Sequence, residues 1–229
     1  MKEAKINTKF VAMALIVYSG GLDSTVLLHL LKSRGEADAA LSVDYGQKHR
    51  KELDFARLNC QKLGVNFETA DLSAIRGLFG KCSLTDGAEC VPSGDYGADN
   101  MGSTVVPNRN MIMIAVAAAR AIALGLREVA YAAHSGDHDI YPDCRPEFAD
   151  ALDAALKLCH YYPVRLLRPF VDMSKAGIVR LGADLGVDFS ATWSCYNGGE
   201  MHCGKCGTCR ERREAFRLAG VPDPTEYAE

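Results

Sequence analysis

Short apolar runs alternate with amphipathic helical segments along most of this sequence, and the alternation limits the fold more than any other feature. Strands separated by helices pair in parallel with right-handed crossovers. The sequence therefore predicts an α/β fold built on a doubly wound, mostly parallel, Rossmann-like sheet of five strands. The predicted strands are MALIVY, ADAALSVDY, NFETADL, REVAYAA and VRLLRPF.

Capping residues and glycines predict where the helices begin and end. Asp23 or Ser24 is expected to cap the first helix, and Ser174 the one that follows the fifth strand. The second helix is predicted over about residues 48–63 and ends before a glycine. The segment NRNMIMIAVAAARAIALG is a long, almost wholly apolar helix, so we expect it to be buried.

The chain's 229 residues suit one α/β domain that carries an appendage. We expect the nucleotide-binding domain to cover residues 1–187 and a metal-binding appendage, which contains the charged helix RERREAFRLAG, to cover 188–229. Residues 76–103 are dense in Gly, Ser and Asp and have weak periodicity. A connection this long in a compact domain is usually a functional flap or a disordered segment, and we favour a lid over the substrate.

Charge and composition exclude several classes of protein. The net charge is −3 and both signs are interspersed, which does not indicate a nucleic-acid partner. Nine cysteines without secretory context indicate thiols or metal ligands and a cytoplasmic protein. Lys2, Lys5 and Lys9 before FVAMALIV resemble an export signal, but the run is short and is predicted as a core strand. No other stretch is long enough to span a bilayer, so no membrane partner is expected.

The loop SGGLDST between the first strand and its helix has the features of a phosphate site. Two glycines allow backbone N–H groups to approach an anion, and the helix adds its positive dipole end. The lysine of a P-loop is missing, and so is the G-x-G-x-x-G fingerprint. An acid in an anion site makes sense chiefly as a ligand for Mg²⁺. The predicted ATP contacts are Tyr18, Ser19, Gly20, Gly21, Leu22, Asp23, Ser24, Thr25 and Asp44.

A second motif, SCYNGGEMHCGKCGTC, places Cys203, Cys206 and Cys209 at C-x2-C-x2-C spacing, with Cys195 upstream. Four thiolates make a closed, structural Zn²⁺ site that leaves no position open for catalysis. The same spacing also opens iron–sulfur motifs, and unliganded core cysteines are a third interpretation. His202 is disfavoured as a ligand because adjacent residues rarely converge on one ion.

The loop SGGLDST resembles the signature of the N-type ATP pyrophosphatases, which cleave ATP between its α and β phosphates and transfer AMP to an oxygen. Together with VDYGQKH, TVVPNRN, YPDCRPEF and the cysteine motif, the sequence resembles the 7-cyano-7-deazaguanine synthase family from about residue 16 to 216. The resemblance implies an adenine-nucleotide alpha-hydrolase-like fold. It also implies an enzyme that makes 7-cyano-7-deazaguanine from 7-carboxy-7-deazaguanine, ammonia and ATP.

Several site residues follow from that resemblance. Asp23 with Mg²⁺, Lys175 and Arg109 are expected to act on the leaving pyrophosphate. The polar residues after the fourth strand are expected to bind the deazapurine, and His138 belongs to the same polar cluster. For several positions a structural role stays open: Lys175 as a surface lysine, Asp44 as a turn residue, and Asp143 and Arg145 as a surface pair. The expected substrate contacts are His134, Asp137, Tyr141, Asp143 and Arg145.

Asn108 stands where glycine is expected in the family, so an alternative reaction that stops at the 7-amido product stays open. The main rival is a tRNA thiolase of the same superfamily, which would use Cys144 or Cys90 to deliver sulfur. Another is a non-catalytic, zinc-stabilised nucleotide-binding module. Free ammonia is the expected nitrogen source, because a glutaminase domain is not expected. The resemblance suggests a homodimer, to which Phe216 and Leu218 are expected to contribute.

Overall fold

A computed structural model describes residues 13–86 and 88–229, so the export-like leader lies outside the described residues. Their strands form one five-stranded sheet in the order β3-β2-β1-β4-β5, and every neighbouring pair is parallel, which confirms the predicted sheet. The order reverses between β1 and β4. The strands are β1 (Ala14–Val17), β2 (Ala37–Asp44), β3 (Asn66–Asp71), β4 (Glu128–Ala130) and β5 (Arg165–Leu167).

Helices cover both faces of the sheet, because successive side chains of each buried strand point to opposite sides. In β1, Ala14 and Ile16 pack in one core with α1, α2, α6 and α7, and Leu15 packs in another with α4 and α5. The helices are α1 (Leu22–Ser33), α2 (Lys51–Leu63), α3 (Ala98–Met101), α4 (Arg109–Ala123), α5 (Pro146–Leu156), α6 (Lys175–Asp184) and α7 (Gly207–Ala219).

Two expectations about helices were wrong. Helix α1 begins one residue earlier than its expected cap: Gly21 is the N-cap residue, and neither Asp23 nor Ser24 caps the helix. Ser24 Oγ and Thr25 Oγ1 instead donate to the Gly21 carbonyl, at 3.2 and 2.8 Å. Helix α4 is buried on one face only, since Met111 on its outer face is exposed. The Ser174 cap is confirmed, because its Oγ accepts a hydrogen bond from the Gly177 amide at 3.2 Å.

The C-terminal segment packs on the sheet domain through helix α7. The fully buried Arg212 donates to Thr192 Oγ1 at 2.8 Å and to the Phe189 carbonyl at 2.9 Å. Phe216 is buried against Phe189, so it has no surface to offer a second subunit, whereas Leu218 is exposed. Of the described residues, no helix combines the length and the apolar character that crossing a membrane requires.

The segment between β3 and α4 is packed against the rest of the chain. Its residues Cys82, Leu84 and Met101 are buried. The Gly94 amide donates to the Lys205 carbonyl at 3.0 Å, which joins the segment to the cysteine motif. The expected lid role stays a prediction, and its packing shows that the described part of this segment forms a wall of the domain.

The turn after β1 depends on a residue without a side chain. Gly20 has a φ of +85°, and a Cβ there would overlap the Glu52 carbonyl oxygen and lie 2.8 Å from the Ala56 amide nitrogen. Both contacts are to the backbone of α2, which cannot move aside easily. The glycine therefore sets how closely the loop of residues 19–25 lies against α2.

We predict that Gly20→Ala lowers the free energy of unfolding by about 1–3 kcal/mol more than Gly35→Ala. Both positions have positive φ, so both variants carry the strain of a left-handed residue, about 1–2 kcal/mol. Only Gly20 adds a steric overlap, because nothing lies within 4 Å of a Cβ at Gly35. Urea unfolding of the two variants measures the difference, and equal stabilities would contradict the packing argument.

Candidate active site

A cavity opens at the carboxyl ends of β1 and β4, where the strand order reverses and ligands of doubly wound sheets bind. The empty space inside it and at its open mouth amounts to about 1130 Å³. Residues from β1, α1, α2, α4, α6 and the cysteine motif line it. The predicted residues among them are Tyr18, Ser19, Gly21, Leu22, Asp23, Ser24, Arg109, His134, Asp137, Tyr141 and Lys175.

The glycine loop holds its shape through its own hydrogen bonds. Ser19 Oγ accepts from the Gly21 amide at 3.1 Å and lies 3.1 Å from Ser24 Oγ. Thr25 Oγ1 is bonded to the Gly21 carbonyl and to the Tyr18 hydroxyl, so these two side chains support the loop from behind. The loop is therefore rigid before any ligand binds, with Ser19 and Ser24 on the cavity side.

Lys175, at the first position of α6, lies at the centre of a cluster of charged groups. Its Nζ is 3.0 Å from Asp23 Oδ2, 2.8 Å from Glu211 Oε2 and 3.4 Å from His134 Nε2. His134 Nε2 lies 3.5 Å from Asp137 Oδ2, and its Nδ1 accepts from the Gly136 amide. The structure thus brings together four residues that the sequence placed on separate elements.

Burial and charge act in opposite directions on the pKa values of this cluster. Burial would raise the pKa of Asp23, but the Lys175 ammonium and then His134 hold it below its ordinary value. Burial would lower the pKa of Lys175, but Asp23, Glu211 and Asp137 raise it well above the usual range. Lys175 is therefore a permanent cation and Asp23 a permanent anion at neutral pH.

Arg109 and Tyr141 form another wall of the cavity. The Arg109 guanidinium lies 5.5 Å from the centre of the Tyr141 ring, and in the described part of the chain it makes no ion pair with a carboxylate. The Tyr141 hydroxyl is 2.8 Å from Thr104 Oγ1. An arginine without an acidic partner is available to an anionic ligand.

Five predicted residues do not line this cavity: Gly20 and Thr25 of the glycine loop, and Asp44, Asp143 and Arg145. Asp44 is bound by its own turn, since Oδ2 lies 2.5 Å from the Arg50 guanidinium and Oδ1 accepts from the Gly46 amide. Asp143 Oδ2 accepts from the Asn110 amide at 2.9 Å, in the first turn of α4. Arg145 is exposed and donates to the His138 carbonyl. Their contacts with ligands stay predictions, and the geometry gives Asp44 and Asp143 structural roles.

The sequence did not single out other residues that form the site. Glu211 was part of a predicted charged helix, and only its position two residues after Cys209 linked it to a motif. Tyr96 comes from the predicted lid, and its hydroxyl donates to Asp137 Oδ1 at 2.7 Å. Glu52 and Tyr196 also line the cavity; Tyr196 is part of the cysteine motif, and Glu52 lies three residues after VDYGQKH.

The four cysteines of the second motif converge. The Sγ atoms of Cys195, Cys203, Cys206 and Cys209 lie within 4.8 Å of one another, close enough to bind a metal ion. The Cys206 and Cys203 amides donate to the sulfurs of Cys203 and Cys195, as expected around thiolates. His202 is not in the cluster, because its Nε2 accepts from the Ser194 amide at 3.1 Å.

The fold and the site define the class of protein first. The parallel sheet, its lysine-free glycine loop and the cysteine cluster are those of an adenine-nucleotide alpha-hydrolase-like protein. NMN synthetase from Francisella tularensis has the same fold, with a TM-score of 0.53 at 17% identity over 93% of this chain and 79% of that one. The U34-tRNA thiolase NcsA from Methanococcus maripaludis, solved with its [4Fe-4S] cluster, has a TM-score of 0.50 at 15% identity over 95% and 75%.

Sequence comparison gives the family. The family model described as "Queuosine biosynthesis protein QueC" matches residues 13–220. The chain is 50% identical over 214 residues to the 7-cyano-7-deazaguanine synthase of Marinomonas sp. (strain MWYL1), covering 93% of this chain and 97% of that one. It is 52% identical over 217 residues to the synthase of Ruegeria sp. (strain TM1040), covering 94% and 93%. The chain belongs to the 7-cyano-7-deazaguanine synthase (QueC) family.

We predict that Lys175→Met lowers the free energy of unfolding by about 3–5 kcal/mol, because it leaves Asp23 and Glu211 buried without their cation. Adding Glu211→Gln to that variant recovers part of the loss. Lys157→Met is the matched control: it removes an exposed ion pair with Asp153 and costs about 0.3–0.5 kcal/mol. Urea unfolding at neutral pH measures all three, and a loss at Lys175 no larger than at Lys157 would contradict the cluster's role.

Proposed function

We propose that the protein converts 7-carboxy-7-deazaguanine, ammonia and ATP into 7-cyano-7-deazaguanine, AMP and pyrophosphate. Family membership supports this reaction, and so does the meeting of Lys175 with the glycine loop at the strand switch point. That meeting is the observation that carries the proposal, because it puts a permanent cation beside the loop predicted to hold pyrophosphate. We further propose that the enzyme is a cytoplasmic homodimer.

In the proposed first step, a carboxylate oxygen of the substrate attacks the α phosphorus of ATP and pyrophosphate leaves. A carboxylate is a poor electrophile, and its acyl-adenylate is a good one. Negative charge builds on the leaving oxygen, so fixed donors and cations there lower the barrier most. The amides of the glycine loop, Ser19, Ser24 and Lys175 are the groups available for this role. Ammonia then displaces AMP and gives the amide.

In the proposed second step, the amide oxygen is adenylated by another ATP. Loss of AMP and of the two amide protons leaves nitrogen triply bonded to carbon. The first adenylated oxygen departs with AMP, so the same loop and lysine serve the second adenylation once the amide group has turned its remaining oxygen toward the α phosphorus of the new ATP. We assign Arg109 to the substrate carboxylate or the adenylate phosphate, and Tyr141, His134 and Asp137 to the deazapurine.

Two metal ions are part of the proposal. Asp23 Oδ1 is buried and has no hydrogen-bond partner among the described residues, so it suits a Mg²⁺ that accompanies ATP and offsets phosphate charge. Cys195, Cys203, Cys206 and Cys209 would hold Zn²⁺ in a structural role. The Cys203–Cys209 and Cys206–Cys209 sulfur distances, 4.0 and 3.4 Å, bracket the value of about 3.8 Å that tetrahedral Zn–S bonds require.

A tRNA thiolase is the second candidate, and the likeness of fold to NcsA is the observation that keeps it. It needs a reactive thiolate. Cys144 lines the cavity, but burial, and then the negative charge of Asp137, raise the pKa of its thiol well above the usual range. Cys90 is exposed and does not line the cavity. The surroundings of both cysteines therefore favour the synthase.

The purified protein is expected to form the nitrile and AMP from MgATP, ammonium and 7-carboxy-7-deazaguanine, as measured by mass spectrometry. Elemental analysis of the same sample is expected to give about one zinc per chain, because four thiolates form one tetrahedral site. Formation of the 7-amide alone would support adenylation and would show that the reaction stops at the amide. ATP binding without AMP release would indicate a non-catalytic module, and a brown, iron-containing sample would favour the thiolase.

We predict that Cys144→Ser keeps most of the nitrile-forming activity. A synthase needs no sulfur nucleophile, and serine preserves the hydrogen bond that Asn110 Nδ2 donates to this side chain at 3.2 Å. Steady-state turnover with all three substrates checks this. Cys60→Ser, which changes a buried thiol outside the cavity, controls for the cost of the new hydroxyl. Abolished turnover in a folded Cys144→Ser protein would favour a catalytic cysteine.

A further inference from the structure

Glu52, in the first turn of α2, is a buried acid on the cavity wall that neither the glycine loop nor the Lys175 cluster uses. Its Oε1 accepts from Gln47 Nε2 at 3.2 Å and lies 3.5 Å from His49 Nε2. Within the described residues, nothing donates a hydrogen bond to Oε2, and this atom is not among the buried atoms without a partner. One carboxylate oxygen is therefore held, and the other is available to the cavity.

The position of Glu52 relates it to the reacting atoms. Its carbonyl oxygen lies against Gly20, so the residue is next to the loop predicted to hold ATP. Arg109, which we assign to the substrate carboxylate or the adenylate, is close enough to lower the pKa values of both Glu52 and His49. The backbone of Glu52 thus lies against the glycine loop, and its side chain lies on the cavity wall within the electrostatic influence of Arg109.

The surroundings of Glu52 keep its proton exchangeable near neutral pH. Burial raises the pKa of Glu52 to about 8, against the opposing effects of Gln47 and Arg109. Burial, and then Arg109, lower the pKa of His49 to about 3, so the imidazole is neutral. A general base works best when its pKa is near the operating pH. The polar and titratable groups that face Glu52 and His49 are Gln47, Asp44, Arg109, Tyr196 and Cys206.

We infer that Glu52 is the general base that receives a proton from the nitrogen nucleophile in the ammonia-consuming step, with His49 and Gln47 as its positioning residues. The inference rests on the proposed function and extends it to a binding site for ammonia. Ammonium is the main form of ammonia in neutral water, and it has no lone pair with which to attack. In its ionised form Glu52 both attracts this cation and removes its proton, and with a pKa of about 8 the ionised fraction grows as the pH rises above neutral.

One N–H proton of ammonium moves to Glu52 Oε2 and frees the nitrogen lone pair. That pair forms the C–N bond to the acyl carbon, and the C–O bond to AMP breaks with its electrons on the phosphate oxygen. The second proton that the new amide loses leaves with AMP or solvent. Glu52 returns its proton to solvent before the next turnover.

The test separates the two half-reactions. Exchange of labelled pyrophosphate into ATP, with 7-carboxy-7-deazaguanine and without ammonium, reports adenylation alone. Amide and nitrile formation at varied ammonium reports the step assigned to Glu52. For Glu52→Gln we expect exchange close to that of the parent protein and a fall of about 100-fold or more in kcat/KM for ammonium. Glu52→Asp, which keeps the carboxylate, recovers part of that loss.

Hydroxylamine gives a readout that a structural role would not change. It is unprotonated at neutral pH and needs no base before it attacks, so the Glu52→Gln defect shrinks when hydroxylamine replaces ammonium. Glu128→Gln is the matched control, because Glu128 is a buried glutamate of raised pKa that pairs with Arg165 outside the cavity. We expect normal kinetics with both nucleophiles from this variant.

Three outcomes overturn the inference. If kcat/KM for ammonium is unchanged in Glu52→Gln, Glu52 is not the general base. Loss of exchange together with loss of amide formation makes Glu52 a support of the glycine loop. If Glu52→Gln lowers kcat/KM equally for ammonium and for hydroxylamine, Glu52 does not act by proton transfer. Absence of exchange in the parent protein is a different failure, because it overturns the proposed function itself.

Discussion

Four parts of the chain meet at the ammonium group of Lys175. It lies at the start of α6 and contacts Asp23 from α1, Glu211 from α7 and His134 after β4. These contacts are buried, so water does not screen them as it does on a surface. Cys206 and Cys209 stand at the start of α7, two residues or more before Glu211. The geometry of the cysteine cluster therefore sets where Glu211 lies, and through it where Lys175 points.

The cluster of charged groups around Lys175 contains more acidic side chains than basic ones. Asp23, Asp137 and Glu211 face a single permanent cation, although burial raises the pKa of Glu211. A loop beside such a cluster repels a bare triphosphate, even though its amides and helix dipole attract anions. Nucleotide binding in the proposed reaction thus requires a divalent cation, and the unpartnered Asp23 Oδ1 lies where such a cation would relieve the excess charge.

Local sequence patterns predicted the sheet and the glycine loop, because strands, helices and turns are each indicated by residues that are neighbours in the sequence. They did not predict which distant residues complete the site. Glu211 and Tyr96 come from segments predicted as a charged helix and a lid, and only tertiary packing brings them to His134 and Asp137. Local patterns also did not predict the structural contact of Asp143, whose Oδ2 accepts from the Asn110 amide in the first turn of α4; its role toward the substrate stays a prediction.

In the proposed reaction, two adenylations in one cavity place a demand on the wall that would hold the deazapurine. The amide must stay bound while AMP and pyrophosphate leave and a second ATP enters. Tyr96 and Tyr141 are fixed by hydrogen bonds to Asp137 and Thr104, and burial raises the pKa of both hydroxyls. Both hydroxyls are therefore neutral near neutral pH, and their hydrogen bonds fix the two rings in this structure. Neutral aromatic groups held in this way suit a reaction that is proposed to use one site twice.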